Sequence, residues 1–223
     1  EKSYWAYDEI ALAEQLGWVN GYPDGSVKPQ GNVTRVETAA ILFRLMSEET
    51  RAANYSRVAR FGDVGVNKWY NVYVATLENA GVIVDTKAGG YFRPNEAITR
   101  AELAAMLAQF ADTKSAPNYF TDVTANYWAA NAIAVCAKLG WINGYPDGTF
   151  RPDQTVTRAE MMAMINRALE RTPKSAADLL AGMKVWSDNA NVNAWYYIDV
   201  QEATNGHTYT KSGTRETWTK LAN

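Results

Sequence analysis

Three arginines recur inside the same tetrapeptide, and no other residues of this chain combine a type and a spacing so well suited to ligand chemistry. The tetrapeptides are Thr34-Arg35-Val36-Glu37, Thr99-Arg100-Ala101-Glu102 and Thr157-Arg158-Ala159-Glu160, and their arginines are 65 and 58 residues apart. A Thr followed three residues later by a Glu is typical of a capping box, so each tetrapeptide predicts the start of a helix. An arginine in the first turn is disfavoured by the helix dipole by roughly 0.3–1 kcal/mol. Its recurrence therefore needs another reason, and binding of a carboxylate or phosphate beside open helix N–H groups supplies one.

A tryptophan precedes each of these arginines at a nearly constant distance. Trp5, Trp69 and Trp128 stand 30, 31 and 30 residues before them. Apolar residues five and eleven positions after each tryptophan predict a first helix, and a glycine then ends it in the left-handed conformation. These glycines are Gly17, Gly81 and Gly140. The chain is thus predicted to repeat a first helix, a loop and a second helix that begins at the capping box.

The loops of the first and third repeats share a turn motif. They read Gly21-Tyr22-Pro23-Asp24-Gly25 and Gly144-Tyr145-Pro146-Asp147-Gly148. Pro presets the first turn position, Asp accepts a hydrogen bond from its own backbone, and the second Gly tolerates a positive φ. The middle loop, residues 82–91, lacks this motif, so its geometry must differ.

A short lead segment, Phe-x-Asp-Val, precedes the second and third tryptophans. It comprises residues 61–64 in the second repeat and residues 120–123 in the third. The first repeat shows no lead, so it is either truncated or completed by another segment. A fourth copy begins at Trp186-Ser187-Asp188 and Trp195, but Thr217 stands where its capping Glu should be. We predict three repeats, 1–50, 51–112 and 113–172, and a degenerate half-repeat, 173–223, that caps the array.

The composition of the chain argues against several classes of function. The net charge of −2 and the pI of about 5.6 provide no basic field for nucleic acid. No apolar run reaches the length of a membrane span, so we expect no membrane insertion. Cys136 is the only cysteine and His207 the only histidine. The single cysteine predicts a buried structural thiol and no thiolate metal cluster, and we expect no metal site and no cofactor. The second helices carry too much apolar surface to stand alone, so a mainly α fold with the three second helices at a pseudo-threefold axis is predicted.

Taken together, the motifs resemble the S-layer homology (SLH) domain family. The resemblance covers Trp5 to Leu169, where lead, tryptophan, loop and capped helix recur in order. It implies a three-pronged spindle around a central three-helix bundle. It also implies a secreted, non-enzymatic module at the bacterial cell surface, which anchors a parent protein or an S-layer lattice to the cell wall. The expected partner is a secondary cell-wall polysaccharide that carries pyruvylated N-acetylmannosamine.

The resemblance also implies ligand grooves between neighbouring prongs, in which the tetrapeptide arginine contacts the pyruvate carboxylate. Aromatic rings suit sugar faces, so the candidate stacking residues are Trp5, Trp69, Trp128, Tyr22 and Tyr145; packing in the core is the alternative for the tryptophans. Asp24 and Asp147 are either turn formers or sugar ligands. Gly21 and Gly144 either satisfy the turn or admit a close ligand. For the arginines, the alternative is an ion pair with a carboxylate of a neighbouring repeat.

Two other function classes remain open from the sequence. A glycoside hydrolase needs only two carboxylates beside a sugar bond, although the recurrent Glu37, Glu102 and Glu160 are already assigned to helix caps. A self-assembly or protein-interaction module is the second alternative. A calcium-binding form of that module is disfavoured, because the Tyr22 loop lacks alternating oxygen ligands and a closing Glu.

Overall fold

The computed structural model describes residues 18–83 and 90–222. Trp5 and Gly17 lie outside the described residues, as does most of the middle loop. Within them the fold is mainly helical, as predicted, with one two-stranded sheet. The helices are α1 (Arg35–Leu45), α2 (Glu48–Asn54), α3 (Asn71–Asn79), α4 (Arg100–Ala108), α5 (Ala130–Lys138), α6 (Arg158–Ala168) and α7 (Tyr197–Thr204). A 3₁₀ turn (Ala176–Asp178) and the antiparallel strands β1 (His207–Ser212) and β2 (Arg215–Leu221) complete the order.

The capping boxes begin the second helices as the sequence predicts. The Thr99 hydroxyl accepts the Glu102 N–H at 3.2 Å, and the Glu102 carboxylate accepts the Thr99 N–H at 3.0 Å. The same reciprocal pair forms at Thr157 and Glu160. Gly81 and Gly140 follow α3 and α5 with φ of 74° and 73°, also as predicted.

A closed ring of three backbone hydrogen bonds joins the residues that directly precede the capping threonines. Val33 N–H donates to Val156 O at 3.1 Å, Val156 N–H to Ile98 O at 2.9 Å, and Ile98 N–H to Val33 O at 3.0 Å. All three side chains are fully buried. The three repeats therefore contribute equivalent residues to this ring, although the predicted spindle remains a prediction.

The described residues form two compact units. One contains residues 32–43, 48–83 and 90–156, and the other contains 18–31, 44–47 and 157–222. In the first unit α4 packs against α5, where the buried Cys136 thiol donates to Ala104 O at 3.4 Å. Burial raises the pKa of this thiol to about 12, so it is the structural thiol that the sequence predicts. Among the described residues no helix is both long and apolar enough to cross a membrane.

In the second unit α6 packs against α7, and the β-hairpin packs beside them. Trp218 of β2 joins Leu179 and Tyr197 in a small apolar cluster. Residues 214–217, in which the sequence shows a failed tetrapeptide, lie at the turn and start of β2. The repeat pattern does not predict the hairpin. It aligns residues 214–217 with the capping-box tetrapeptides and therefore predicts a helix start there.

The half-repeat completes the first repeat. Val19 N–H donates to Ala203 O of α7 at 3.0 Å, whereas Ile142 N–H donates to Cys136 O of its own repeat. Ala203 and Cys136 both stand eight residues after a repeat tryptophan. In this structure α7 therefore makes with the first repeat the contact that α5 makes within the third; completion by another segment was one of the two possibilities left open by the sequence.

Candidate functional site

The N–H groups at the starts of the second helices are already paired in the structure. Arg35 N–H donates to Glu96 O at 2.9 Å, Arg100 N–H to Gln154 O at 2.9 Å, and Arg158 N–H to Gly31 O at 2.8 Å. The next N–H of each helix donates to the carbonyl of a loop proline, and the third donates to the capping threonine. The expectation of open helix N–H groups for an anion is therefore wrong. The arginine side chains, which extend away from the helix, remain the candidates.

Arg100 reaches the loop of the third repeat. Its Nε donates to Phe150 O at 2.8 Å and its Nη2 to Asn143 O at 2.9 Å. The guanidinium carbon lies 5.1 Å from the centre of the Tyr145 ring. On that ring a second guanidinium, from Arg151, lies at 3.8 Å. Tyr145 is thus flanked by two cations.

Arg158 repeats this arrangement on the loop of the first repeat. Its Nε donates to Val27 O at 2.8 Å and its Nη2 to Asn20 O at 3.1 Å. The guanidinium lies 5.2 Å from the Tyr22 ring, and the Lys28 ammonium lies 3.9 Å from the same ring. We call Arg158, Tyr22 and Lys28 the first cation–tyrosine cluster, and Arg100, Tyr145 and Arg151 the second.

Arg35 has a different described environment. Its Nε donates to Phe92 O at 2.7 Å, and its Nη1 lies 2.8 Å from Glu102 Oε1 in a salt bridge whose side chains are 2% and 6% exposed. Burial lowers the pKa of Arg35. Burial alone would raise the pKa of Glu102, but the charge of Arg35 and the Thr99 N–H outweigh it and leave that pKa lowered. At Arg35 the structure therefore contains the inter-repeat ion pair that was the alternative to ligand binding.

Lys28 and Arg151 are members of the clusters that the sequence analysis missed. A basic residue followed by proline stands seven positions before each tetrapeptide arginine, in Lys28-Pro29, Arg93-Pro94 and Arg151-Pro152. All three basic residues have a positive φ, between 51° and 59°, which is uncommon for residues other than Gly. The recurrent basic-Pro dipeptide was the available signal.

The lead aspartates hold these positive-φ residues in place. Asp122 accepts the N–H groups of Phe150 and Arg151 at 2.8 and 2.7 Å. Asp63 does the same in the second repeat. In the first repeat the acceptor is Asp188 of the C-terminal segment, at 2.9 Å from Val27 N and 2.8 Å from Lys28 N.

The turn aspartates lie beside the clusters on exposed turns. Asp24 accepts from the hydroxyl and N–H of Ser26, and these bonds lower its pKa. Asp147 accepts equivalently from Thr149 and lies 3.0 Å from Arg151, which together lower its pKa to about 2. Both carboxylates thus act as turn formers and stay ionised.

Gly21 and Gly144 allow a ring of the lead segment to approach the loop backbone. A methyl group at Gly21 would overlap the Trp186 ring, and one at Gly144 would overlap the Phe120 ring. This close approach is a packing reason for both glycines. Their role toward a ligand remains a prediction.

Of the repeat tryptophans that the structure describes, Trp69 and Trp128 are exposed and not packed in the core. Trp69 is 65% exposed and Trp128 is 47% exposed. Trp195, at the corresponding position of the C-terminal half-repeat, is 60% exposed and contacts Tyr196 edge-on, as Trp69 contacts Tyr70. Ring contacts join Trp69 to Tyr73 and Trp128 to Tyr127.

One buried group of side chains has the composition of a metal site. Glu202, His207 and Glu216 place their ligand atoms within 4.8 Å of one another. However, Arg171 Nη2 lies 2.8 Å from His207 Nε2 and 2.6 Å from Glu202 Oε1. A guanidinium at the histidine nitrogen repels a cation from that position. The group is therefore a buried charge network, and its residues do not fit a metal ion.

The repeats of this chain match a known domain family, and several proteins are similar to the chain. The model of the S-layer homology domain matches residues 1–39, 60–104 and 119–162, together more than half of the chain. The chain is 33% identical over 204 residues to a cellulosome-anchoring protein of Acetivibrio thermocellus, covering 88% of this chain and 44% of that protein. It is 31% identical to cell surface glycoprotein 1 of the same organism, covering 93% and 9% of the two chains. An amylopullulanase of Thermoanaerobacterium thermosulfurigenes is 34% identical over 179 residues, covering 77% and 9%. The chain thus spans less than half of each of these relatives.

Proposed function

This chain belongs to the S-layer homology domain family, and we propose that it attaches the protein that carries it to the bacterial cell wall by binding an anionic secondary wall polysaccharide. The two cation–tyrosine clusters are the binding sites in this proposal. The observation that carries it is the paired arrangement on Tyr22 and Tyr145, each ring flanked by a buried arginine and an exposed basic residue.

The chemistry of each cluster suits a carboxylated sugar. A tyrosine ring offers apolar area to a sugar face and a hydroxyl to its polar edge. Lys28 and Arg151 are exposed cations beside that ring, and a charge-assisted hydrogen bond to a carboxylate contributes about 1.5–3 kcal/mol. Arg100 and Arg158 are 5% exposed. They add positive charge within 5.1 and 5.2 Å of the ring centres and donate hydrogen bonds to the loop carbonyls. A pyruvate ketal, which presents one carboxylate on a neutral sugar, matches this arrangement.

The relatives support attachment as the shared role. An anchoring protein, a surface glycoprotein and an amylopullulanase have different names, and each shares with this chain only part of its length. A segment common to such different proteins is more simply a means of attachment than a source of their separate activities. The recurrent carboxylates support the same view against a glycoside hydrolase. Glu102 and Glu160 accept capping N–H groups, and Asp63, Asp122 and Asp188 each accept two loop N–H groups.

Arg35 is not part of this proposal, because the loop of the second repeat differs from the loops of the other two repeats. Lys87 stands six residues before Arg93, where Tyr22 and Tyr145 precede Lys28 and Arg151. The second loop lacks the tyrosine, and Arg35 is paired with Glu102. We therefore propose at most two strong binding sites per chain.

Co-sedimentation with purified wall sacculi tests this function. We expect the chain to sediment with intact sacculi and to remain in solution after acid extraction of the secondary polymer. The double variant Tyr22→Ala/Tyr145→Ala should bind at least about ten-fold more weakly, whereas Tyr55→Ala, at a 58% exposed tyrosine outside both clusters, should bind as the wild type does. Equal sedimentation with extracted sacculi would overturn the proposal. Sedimentation without sacculi would instead indicate self-assembly.

A further inference from the structure

The chain contains three Asn-Gly dipeptides, which are Asn20-Gly21, Asn143-Gly144 and Asn205-Gly206. This pair of residues is prone to intramolecular deamidation, in which the backbone nitrogen of the glycine attacks Cγ of the asparagine side chain. Glycine favours the attack because it has no Cβ to hinder the nitrogen or to restrict the backbone angles. The rate then depends on the freedom of the asparagine side chain and on how readily the peptide nitrogen loses its proton.

The first two asparagines have free side chains, whereas the third is held. Asn20 and Asn143 are exposed, and neither side-chain amide has a hydrogen-bond partner among the residues that the structure describes. Asn205 is 7% exposed. Its Nδ2 donates to Lys184 O and to Gln201 O at 3.1 Å, and its Oδ1 accepts the Lys184 N–H at 2.7 Å. An attack on Cγ of Asn205 would break these bonds, whereas Cγ of the other two asparagines is open to attack.

In each of the two free dipeptides, a buried arginine donates to the peptide group that supplies the attacking nitrogen. Arg158 Nη2 donates to Asn20 O at 3.1 Å. Arg100 Nη2 donates to Asn143 O at 2.9 Å. The carbonyl of Asn20 and the N–H of Gly21 belong to one amide, so negative charge formed at the nitrogen is shared with the oxygen. A charge-assisted hydrogen bond to that oxygen stabilises the deprotonated amide, as the donors of an oxyanion hole stabilise a reacting carbonyl.

Packing requires the glycine in both dipeptides. A methyl group at Gly21 would overlap the Trp186 ring, and one at Gly144 would overlap the Phe120 ring. A bulkier residue after the asparagine would slow the attack, but it does not fit at either position. The fold therefore keeps a reactive dipeptide beside each of the two arginines.

We propose that Asn20 and Asn143 are deamidation sites at which Arg158 and Arg100 activate the attacking nitrogen. The peptide nitrogen of the glycine gives its proton to water and forms a bond with Cγ of the asparagine. The Cγ–Nδ2 bond then breaks, and the leaving nitrogen takes a proton from water and departs as ammonia. Hydrolysis of the resulting succinimide consumes one water molecule and yields aspartate or isoaspartate. The net change converts an amide and water into an acid and ammonia, so water is the only co-reactant.

Formation of isoaspartate changes the group that the arginine binds. In isoaspartate the main chain runs through Cγ, and the former carbonyl group of Asn20 becomes a free carboxylate. The oxygen that Arg158 contacts is then charged, which converts a hydrogen bond into an ion pair and favours isoaspartate over aspartate. The ion pair neutralises the arginine of the first cation–tyrosine cluster. Binding of an anionic ligand is thereby weakened, and this consequence alone rests on the proposed function.

Peptide mapping by mass spectrometry tests the proposal on the full chain without a ligand. The chain is incubated at mildly alkaline pH in the folded state and, in parallel, unfolded in urea, where the three dipeptides have no tertiary contacts. We expect Asn205 to react at least about ten-fold more slowly in the folded chain than in urea, because its bonds must open first. Asn20 and Asn143 should react at least as fast in the folded chain as in urea. Protection of all three asparagines in the folded chain would overturn the proposal.

The role of each arginine is tested within one molecule. In Arg158→Met we expect deamidation of Asn20 to slow by about ten-fold or more, while Asn143 keeps its wild-type rate as the internal reference. Arg100→Met should slow Asn143 and leave Asn20 unchanged. An unchanged or faster reaction at Asn20 in Arg158→Met, with Asn205 still protected, would overturn the activation by arginine.

Asn205 also reports whether the variant is folded. If it loses protection in Arg158→Met, that variant is unfolded, and the rate of Asn143 in Arg100→Met decides the question. None of these rates depends on polysaccharide binding, so a failure here is distinguishable from a failure of the anchoring function.

Discussion

Asp188 accepts the backbone N–H of Lys28 at 2.8 Å, although the two residues are 160 positions apart in the chain. Asp122 makes the same bond to Arg151 within a single repeat. The first cation–tyrosine cluster is therefore assembled from both ends of the sequence. A basic residue with positive φ and an aspartate that pairs with its N–H form one structural unit in each repeat.

Removal of either aspartate should destabilise its own loop. Asp188→Ala and Asp122→Ala each leave two N–H groups without a carboxylate acceptor, so we expect a loss of about 2–4 kcal/mol in the free energy of unfolding. Urea unfolding measures this loss. Asp112→Ala, at an exposed aspartate, is the control and should change stability by less than about 0.5 kcal/mol. Wild-type stability of Asp188→Ala would contradict the role assigned to the C-terminal lead.

The sequence predicts the repeat, the helix starts and the buried thiol, because each depends on local chemistry or a fixed spacing. Thr99 and Glu102 are three residues apart, and no distant residue is needed to define their cap. The contact of Arg100 with Phe150 O joins residues 50 positions apart, so no local pattern contains it. The β-hairpin was missed because Glu216 and Trp218 interact with Arg171 and Glu202, which only tertiary structure brings together.

Arg35 provides a test of structural against ligand-binding roles. Arg35→Ala removes the nearer of the two cations that contact the buried Glu102, at 2.8 Å, and leaves Arg93 Nη2 at 3.2 Å, so we expect a loss of about 1.5–3 kcal/mol. The double variant Arg35→Met/Glu102→Gln should recover part of this loss, because the buried carboxylate charge is also removed. Arg57→Ala, at an exposed arginine, serves as the control. An Arg35→Ala protein that melts like the wild type would show that the ion pair does not stabilise the fold.

The glycines that precede the loop tyrosines should tolerate no side chain. Gly144→Ala would bring a methyl group into the Phe120 ring and 2.7 Å from Thr149 O, so we expect a loss of about 1–3 kcal/mol. Gly65→Ala, where the added methyl group meets only Lys68 Cγ at 3.9 Å, is the matched control. Thermal melting of the two variants compares them directly. Equal melting temperatures would mean that the lead ring can move aside at little cost.

The buried network of α7 and the hairpin should make stability fall with rising pH. Burial raises the pKa of Glu202 from 4.5 to about 7, with the nearby Glu216 acting in the same direction and Arg171 against it. Between these two values the folded chain keeps a proton that the unfolded chain has released, so higher pH favours unfolding. We expect the melting temperature to fall by a few degrees between pH 5 and pH 7, since about 1 kcal/mol corresponds to roughly 2–4 °C for a chain of this size. Glu202→Gln should flatten this slope; an unchanged slope would assign the proton to another group.

The central claim is that the two cation–tyrosine clusters bind the carboxylate of a wall polysaccharide. Calorimetric titration with a pyruvylated saccharide and with the same saccharide lacking pyruvate tests it most directly. We expect one or two ligands per chain and at least about ten-fold weaker binding without the pyruvate, because a charge-assisted hydrogen bond contributes about 1.5–3 kcal/mol. Lys28→Met/Arg151→Met should reduce the affinity for the pyruvylated form to that of the neutral one. Equal affinity of the wild type for both saccharides, or three equivalent sites per chain, would contradict this account.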